Sequence, residues 1–339
     1  MYHAHALLSK PLLRILAAII IVCVIFLLSR ERLLASDAVR PYMASIAKLP
    51  AISVAQPAPT GMPLDTIKNS TLGFEKLFVI SLPSRPDRRD GMVLQASLSD
   101  ITIDFIDGVQ NSQIAEKAIP KAEDGTHVLN AALGAWRAHI NAIQEIVRRN
   151  ITSAFIMEDD GDWDVQIKHQ LQNVAKATRA LIQPLAIDSK SYADPTFPRR
   201  PKDHPPVPDI MFETLPNTLP PQISPYGDDW DVLWVGHCGQ SFPRDDNEFL
   251  PRGRVIQRND STVPKKEHLE SPFIQPFTLK DDYPDHTRAI HHSQWGVCSS
   301  GYAVSQRGAR RILLEIGLKE VIAPFDLLLP RPSGRGKRH

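Results

Sequence analysis

Hydrophobic and polar positions in the middle of the chain switch repeatedly between strand-like and helix-like patterns. Residues 77–82 form a short, largely apolar run that ends at prolines and predicts a buried strand. Residues 101–109 alternate between apolar and polar positions and predict a second strand. A helix is predicted between them, over residues 88–98. This part of the chain is therefore predicted to run strand, helix, strand.

The segment from 129 to 150 has the clearest helical period. Its apolar residues recur in steps of three and four, which places them on one helix face: Leu133, Trp136, Ile140, Ile143 and Val147. Residues 151–157 follow as a buried strand, and a further helix is predicted after them. Later strands are predicted at 232–235 and at 301–304, the second followed by Ser305 as an N-cap. Strands that alternate with helices predict an α/β sandwich with a mostly parallel central sheet.

Polar side chains follow several of these predicted strands. In a parallel sheet, ligands bind beyond the carboxyl ends of the strands. Asp107, the His237-Cys238 turn and an acid cluster after residue 157 all come at such ends. The acid cluster consists of Glu158, Asp159, Asp160, Asp162 and Asp164. We expect these groups to converge on one cleft.

Three interpretations of the acid cluster compete. An EF-hand calcium loop needs Gly at position six and Glu at position twelve, but a loop counted from Asp160 has Val165 and Leu171 there. A solvated acidic loop is the ordinary interpretation, although acids directly after a core strand need charge compensation. A divalent cation held by one or two carboxylates and by phosphate oxygens would provide that compensation. The position of the cluster favours this third interpretation.

Three arginines follow the first predicted strand: Arg85, Arg88 and Arg89. Guanidinium groups bind phosphate through two parallel hydrogen bonds, so these side chains are candidates for a phosphate site. A charged helix start compensated by Asp87 and Asp90 is the alternative. The chain has neither a P-loop signature nor a GxGxxG after a strand, so neither of those nucleotide sites is supported.

Histidines provide weaker signals. His139 lies at the edge of the apolar helix face and is interpreted as a packing or hydrogen-bonding residue. A zinc site built from His237, Cys238, His291 and His292 matches no standard ligand spacing and is not favoured.

The chain contains three cysteines. Cys23 lies in an apolar N-terminal segment, which leaves Cys238 and Cys298 as the one pair outside it. A disulfide between them is allowed if this part of the chain faces a secretory lumen, and two reduced thiols are the alternative. Three Asn-x-Ser/Thr sequons are compatible with a lumenal location: Asn69, Asn150 and Asn259.

Residues 12–29 are apolar except for Arg14 and Ser29. Their length is close to the roughly 20 residues that span a bilayer. A cleavable signal peptide, the alternative, has an apolar core of about 7–15 residues and a small-x-small cleavage site, which the following "LLASDAV" fits poorly. We therefore expect an uncleaved transmembrane signal anchor behind a short cytoplasmic tail, residues 1–11.

Composition describes the remainder as an ordinary globular protein. Apolar residues make up 42% of the chain and the net charge is +1, which argues against a dedicated nucleic-acid binder. Residues 30–73 lack a sustained period and predict a stem. The catalytic domain is expected over 74–329, with a proline-rich insertion at 184–229 that is predicted to be surface-exposed and partly disordered, and a basic tail at 330–339.

Together these features suggest catalysis on a nucleotide-sugar by a membrane-anchored, lumenal enzyme. In that chemistry a metal neutralises the departing diphosphate and a carboxylate deprotonates the acceptor hydroxyl.

Five blocks of the chain carry a family resemblance. In order they read "LFVISLPSRPDRRDGM", "LGAWRAHINAI", "FIMEDDGDWD", "WDVLWVGHCG" and "GYAVSQRGARRIL", and together they resemble glycosyltransferase family 25. That family includes bacterial lipooligosaccharide galactosyltransferases and animal collagen galactosyltransferases, and the chain looks most like fungal members. The resemblance covers residues 74–329.

Two departures from the family pattern have consequences. Ala138-His139 stands where the family often has Ser-His, so this position supplies no serine hydroxyl. The chain ends soon after "IAPFDLLLP", where related chains usually continue towards the acceptor side. Impaired activity is therefore one expectation.

The resemblance implies a GT-A-type nucleotide-sugar-binding fold with inversion at the anomeric carbon. It implies a UDP-sugar donor, UDP-galactose being the commonest, with Mn²⁺ or another divalent cation and a glycan or glycoprotein acceptor. Asp160 is the expected metal ligand, with Asp159 or Asp162 as its helper. The other expected nucleotide-sugar contacts are Ser81, Arg85, Arg88, Asp107 and Glu158. Three carboxylates are candidates for the base: Asp326, Asp231 and Asp229.

We therefore expect a single-pass type II membrane protein of the secretory pathway, in the Golgi, with its catalytic domain in the lumen. Its function is expected to be metal-dependent glycosyl transfer. A non-catalytic sugar- or nucleotide-binding protein on the same fold is the alternative. A metal phosphodiesterase is disfavoured because the sequence has no second cluster of His and Asp suited to a two-metal site.

Overall fold

A computed structural model describes residues 61–198, 201, 203–204, 206–244, 247–269 and 278–329. The predicted cytoplasmic tail, signal anchor and basic tail lie outside these residues, as does most of the predicted stem. Among the helices of the described residues, none has the length and apolar character needed to cross a membrane.

The described strands and helices alternate along the chain. The strands are β1 Lys76–Ser81, β2 Asp104–Asp107, β3 Ser153–Glu158, β4 Ile210–Met211, β5 Val232–Gly236, β6 Gly239–Ser241, β7 Arg254–Gln257, β8 Arg288–His291, β9 Gln294–Val297 and β10 Gly301–Ser305. The α-helices are α1 Pro86–Leu98, α2 Asn130–Arg148, α3 Ile167–Ile182, α4 Thr278–Asp282, α5 Gln306–Ile312 and α6 Phe325–Leu328. A π-helical turn, Leu313–Gly317, extends α5, and short 3₁₀ turns include Leu64–Lys68.

The central sheet has the strand order β2-β1-β3-β10-β5. β1 pairs in parallel with both β2 and β3, whereas β10 runs antiparallel to both of its neighbours, β3 and β5. β5 therefore runs in the same direction as β3. The mostly parallel sheet predicted from the pattern is confirmed, with β10 as the reversed strand.

Helices cover both faces of this sheet. Because successive residues of a strand face opposite sides, Phe78 and Ile80 of β1 pack on the side of α2 and α5. Leu77 and Val79 pack on the opposite side, against α1 and α3. The result is a three-layer α/β/α sandwich with a separate apolar core on each face of the sheet.

Helix α2 has the apolar face that its period predicts. Trp136 is 1% exposed, and its indole N–H donates to the carbonyl of Ile316 at 3.1 Å. Gly134, in the first turns of the helix, lies so close to the preceding loop that an added Cβ would be 2.5 Å from the Val109 carbonyl oxygen. A glycine is therefore required where α2 crosses the carboxyl end of β2.

Part of the proline-rich insertion packs into the domain. Asp194 and Thr196 are buried, and Tyr226 near its end is also buried. The Asp194 carboxylate accepts hydrogen bonds from the backbone N–H groups of Thr196 and Gly253, each at 2.8 Å. These contacts correct the expectation of a surface-exposed segment, because they tie the insertion to the chain just before β7.

The domain also begins earlier than residue 74. Ile67 and Leu72 lie in the core on the α1–α3 face of the sheet, and the Tyr226 hydroxyl donates to the Leu72 carbonyl at 2.7 Å. The backbone N–H of Met62 donates to the carbonyl of Pro221 at 2.7 Å. Residues 61–73, predicted as the end of a stem, are therefore part of the folded unit.

A disulfide joins Cys238 to Cys298, with an S–S distance of 1.98 Å. Cys238 lies just before β6 and Cys298 just after β9, and these two strands pair with each other. Of the two alternatives left open by the sequence, the structure therefore has the disulfide. The bond closes the chain across a separation of 60 residues.

We expect Ile67→Ala to lower the free energy of unfolding by about 2–5 kcal/mol, the usual range for truncating a buried Ile. Ile67 is 0% exposed, whereas Leu98, a matched apolar control on α1, is 86% exposed. Leu98→Ala should change the free energy of unfolding by no more than about 0.5 kcal/mol. Denaturant unfolding of both variants measures the difference. Equally small effects would contradict the assignment of residues 61–73 to the core.

We expect the double substitution Cys238→Ser/Cys298→Ser to lower the free energy of unfolding by about 2–5 kcal/mol, because the disulfide restricts the unfolded chain. A reducing agent should lower the free energy of unfolding of the wild type by a similar amount. It should not change the free energy of unfolding of the double variant. Cys23 is present in both proteins, so its reduction cannot produce the difference. Equal sensitivity of the two proteins to reductant would contradict the disulfide.

Candidate functional site

A cleft of about 400 Å³ lies at the carboxyl edge of the central sheet. The segments after β1, β2 and β3 line it, and α2 covers one side. Arg85 and Arg88 reach it from the start of α1, and Glu158, Asp159 and Asp160 from the end of β3. Ligands of parallel sheets bind at this position.

Asp159 and Asp160 share one arginine. Nη1 of Arg88 lies 2.7 Å from Oδ1 of Asp159 and 3.0 Å from Oδ2 of Asp160. The Asp159 side chain is 10% exposed and that of Asp160 is 56% exposed. The repulsion between these neighbouring carboxylates is therefore relieved by a cation that lies between them, supplied here by the protein itself.

Glu158 has other partners. Its Oε1 accepts a hydrogen bond from the Ser299 hydroxyl at 2.7 Å and lies 3.3 Å from Nε2 of His139. Burial favours the neutral acid, but the hydrogen bond and charge of His139, together with the Ser299 hydroxyl, outweigh it and hold the pKa of Glu158 below its ordinary value. Glu158 is therefore held as a carboxylate at the wall of the cleft.

His139 is enclosed on every side. It is 2% exposed, its Nδ1 lies 2.8 Å from the Tyr302 hydroxyl, and its ring stacks on Phe325 at 4.5 Å with 2° between the planes. Burial, with the nearby Glu158 charge as a smaller cause, raises the pKa of Tyr302 well above its ordinary value. Sequence reasoning placed His139 at the edge of a helix face but did not connect it with Glu158. The family pattern at Ala138-His139 was the one feature of the sequence that could have indicated a role for His139 in the site.

The remaining acids of the cluster bind nearby backbone. Asp162 accepts from the N–H of Trp163 at 2.7 Å, and Asp164 accepts from the N–H of Gln166 at 2.7 Å, where α3 begins. Neither lines the cleft. No group of three or more His, Cys, Asp or Glu able to hold a metal ion occurs among the residues that the structure describes. Of the two predicted metal ligands, Asp160 therefore lines the cleft and Asp162 does not.

The predicted contacts after β1 and β2 differ in their placement. Arg85 lines the cleft, although its guanidinium forms a bidentate pair with Asp87, at 2.9 and 2.6 Å. Ser81 is 1% exposed and does not line the cleft. Asp107 is largely exposed and pairs with Arg89 at 2.6 Å. Asp107 is not among the residues that line the cleft, and its carboxylate is bound by Arg89 of α1.

The three candidate bases lie at opposite edges of the sheet. Asp326 accepts hydrogen bonds from the backbone N–H groups of Cys298 at 2.7 Å and Leu327 at 2.9 Å. Cys298 precedes β10, whose first residue Gly301 pairs with Met157 at the carboxyl end of β3. Asp326 is therefore at the same edge as the cleft.

Asp229 and Asp231 are at the other edge. Both precede β5, which runs parallel to β3, so they lie at the amino ends of the strands. Each forms an ion pair with Arg307, at 2.6 Å for Asp229 and 2.7 Å for Asp231, and Asp231 also pairs with Arg311. The structure does not place either carboxylate in the cleft, because the length of β5 separates them from it.

A second cleft, of about 520 Å³, lies beyond the carboxyl end of β5. His237 and His291 line it, and desolvation of the His291 ring lowers the pKa of this residue to about 4. Burial also lowers the pKa of the neighbouring His292. This cleft contains none of the predicted donor-binding residues.

The family match covers the residues that build the first cleft. Residues 74–204 match the family model described as "Glycosyltransferase family 25 (LPS biosynthesis protein)". This segment includes β1, α1, β2, α2, β3 and α3, and so both arginines and the whole acid cluster. The mixed α/β fold with a mostly parallel central sheet fits a glycosyltransferase.

The chain is also similar to larger proteins. Procollagen galactosyltransferase 1 of Danio rerio is 24% identical over 280 residues, which are 79% of this chain and 32% of that protein. Procollagen galactosyltransferase 1-B of Xenopus laevis is 29% identical over 116 residues, 30% of this chain and 19% of that protein. Inactive glycosyltransferase 25 family member 3 of Homo sapiens is 27% identical over 122 residues, 33% of this chain and 20% of that protein.

The matched region thus spans about a third or less of the length of these relatives, which include both galactosyltransferases and a protein named as inactive. The segment that carries the cleft therefore matches the family 25 model, and most of the chain is similar to procollagen galactosyltransferase 1.

Proposed function

We propose that this chain is a metal-dependent, inverting glycosyltransferase that moves a sugar from a UDP-sugar to a hydroxyl of a glycan or glycoprotein. Galactose is the proposed sugar, because the Danio rerio and Xenopus laevis relatives are named galactosyltransferases. The observation that carries the proposal is the position of Arg85, Arg88, Asp159 and Asp160 in one cleft at the carboxyl edge of the sheet.

Asp159 and Asp160 fit a divalent cation as a partial set of ligands. A single nitrogen of Arg88 contacts both carboxylates, so both oxygens are directed at one positively charged position. Hard divalent cations bind oxygen ligands, and one or two carboxylates completed by substrate phosphate oxygens are a usual arrangement. When bound, Mn²⁺ supplies the charge that stabilises the departing diphosphate.

Arg88 and Arg85 are the proposed phosphate contacts. A cation held by the two aspartates would replace Arg88 as their partner, and the Arg88 guanidinium could then form bidentate hydrogen bonds with phosphate oxygens. Arg85 lies on the same wall. The two arginines would orient the UDP moiety so that the sugar faces Glu158 and α2.

Asp326 is the proposed base among the three candidates. It lies at the carboxyl edge, and two backbone N–H groups fix its carboxylate. Inverting transfer needs a carboxylate within hydrogen-bond reach of the acceptor hydroxyl. Asp229 and Asp231 are not proposed for this role, because they lie at the amino ends of the strands in ion pairs with Arg307.

The cellular setting is proposed from the sequence and from the disulfide. An N-terminal signal anchor over residues 12–29 would place the catalytic domain in the lumen of the Golgi. The disulfide agrees with an oxidising compartment.

A non-catalytic sugar- or nucleotide-binding protein is the second candidate function. Two observations favour it: Arg88 already compensates Asp159 and Asp160, and a similar human protein is named as inactive. This candidate predicts that the chain binds UDP-sugars but does not turn them over with any glycan or glycoprotein acceptor.

We expect the full chain to release UDP from UDP-galactose, UDP-glucose or UDP-N-acetylglucosamine with Mn²⁺ and not with EDTA. Asp160→Asn should lower this turnover by about 100-fold or more, the effect of removing one group that stabilises developing charge. Asp162→Asn is the matched control and should behave as wild type, because Asp162 binds the Trp163 N–H outside the cleft. Unchanged turnover in Asp160→Asn, or turnover in EDTA, would contradict the proposed metal site.

We expect Arg88→Ala to weaken binding of UDP in the presence of Mn²⁺ by about 10- to 100-fold, since a hydrogen bond to a charged group contributes about 1.5–3 kcal/mol. Arg148→Ala is the control, because Arg148 pairs with Glu145 on the exposed side of α2. Titration calorimetry measures both dissociation constants. Equal affinities of the two variants for UDP would contradict the proposal that Arg88 binds phosphate.

A further inference from the structure

The buried His139 has no part in the metal and phosphate contacts proposed above, yet it contacts a carboxylate of the same cleft. Its Nε2 lies 3.3 Å from Oε1 of Glu158, and its Nδ1 lies 2.8 Å from the Tyr302 hydroxyl. His139 is 2% exposed. A buried polar group costs free energy unless it is hydrogen-bonded, and here both ring nitrogens have polar neighbours.

The ring of His139 is also held in orientation. It stacks on Phe325 with 2° between the ring planes. The Tyr302 hydroxyl, on β10, fixes the opposite side of the imidazole. These contacts from α6 and β10 therefore orient Nε2 of His139 towards the end of β3.

Glu158 receives this contact together with a second one. Ser299 donates its hydroxyl to Oε1 of Glu158 at 2.7 Å and lies 3.3 Å from Nε2 of His139. Both contacts engage Oε1. Among the hydrogen bonds of the described residues, none uses Oε2, and Glu158 lines the cleft. Oε2 is therefore the oxygen that a ligand can reach.

This arrangement separates Glu158 from the two aspartates that follow it. Arg88 contacts Asp159 and Asp160, while His139 and Ser299 hold Glu158 from the opposite side. Three adjacent acids are thus divided between two sites of one cleft. A carboxylate oxygen accepts hydrogen bonds from hydroxyl groups, and hydroxyls are the polar groups of a hexose.

We infer that His139 is a positioning residue, which acts with Ser299 to hold Glu158 so that its free oxygen faces the sugar hydroxyls of the bound donor. The inference rests on the proposed function. It assigns Glu158 to the sugar rather than to the metal, and it gives the histidine of α2 a role beyond packing. A displacement of about 1 Å in such a group can cost on the order of 100-fold in rate.

The chain offers variants that separate the hydrogen bond from the packing. His139→Phe keeps a ring to stack on Phe325 and loses the N–H towards Glu158. His139→Gln loses the ring and keeps an amide near the position of Nε2. Tyr302→Phe combined with His139→Phe removes the hydroxyl that the first substitution leaves unpaired.

The experiment measures UDP release by the full chain with Mn²⁺ and UDP-galactose, UDP-glucose or UDP-N-acetylglucosamine. His139→Phe should lower kcat by about 10- to 100-fold, the usual effect of losing a partner that orients a ligand-binding group. The dissociation constant for UDP with Mn²⁺ should stay within about threefold of wild type, because Asp159, Asp160 and Arg88 are untouched. His139→Gln should retain more of the turnover than His139→Phe does.

A double-mutant cycle with Glu158→Gln provides the sharper readout. If His139 acts through Glu158, His139→Phe should lower kcat no further once Glu158 is substituted, whereas independent effects would add. The double variant His139→Phe/Tyr302→Phe, with thermal unfolding monitored, separates a loss of stability from a loss of positioning. It should unfold closer to wild type than His139→Phe does and show the same low kcat.

Several outcomes would overturn the inference. These are wild-type kcat in His139→Phe, additive effects in the cycle, equal losses in the Phe and Gln variants, or recovery of kcat in His139→Phe/Tyr302→Phe. Failure of both single variants to fold would assign the histidine to folding alone. A wild-type chain that binds UDP but turns over none of the donors would instead reject the proposed enzyme, and the inference with it.

Discussion

Charge compensation at the carboxyl end of β3 is the constraint on which the site depends. A buried strand that ends in three consecutive acids requires cations or hydrogen-bond donors beside them, because like charges that lie close together repel one another. The protein meets the requirement from two sides. Arg88, on α1, forms ion pairs with Asp159 and Asp160. On the other side, His139 and Ser299 contact Glu158. The cleft is the space between these two sets of contacts.

The reversed strand β10 makes this arrangement feasible. Because β10 runs antiparallel to β3, the residues just before it, including Ser299, lie beside the end of β3. The disulfide at Cys298 and the Asp326 carboxylate, which accepts the Cys298 N–H, hold the same segment in place. Helix α6 then packs Phe325 against the His139 ring. The segment before β10 and helix α6 therefore pack around the Glu158 carboxylate, although they lie far from it in sequence.

Local patterns were sufficient to predict much of the architecture. The period of α2 and the apolar runs at β1 and β3 are decided by which side chains must leave water, and this appears directly in the order of residues. The beginning of the domain was misplaced because residues 61–73 are short and irregular. Their contribution depends on tertiary packing, including the hydrogen bond from the Tyr226 hydroxyl to the Leu72 carbonyl, which joins residues 154 positions apart. The buried part of the insertion was missed for the same reason, since Asp194 is satisfied by the backbone near β7.

The sequence by itself determined the α/β alternation, the place of the acids at a strand end and the pair of cysteines that could join. Each of these follows from hydrophobic periodicity or from residue type. The tertiary structure alone decided how the acids are divided, that Asp229 and Asp231 lie at the amino edge, and that His139 faces Glu158. These outcomes depend on strand order and direction and on the packing of α2, α6 and β10. No short stretch of sequence encodes them, because their contacts join residues separated by 19 to 163 positions.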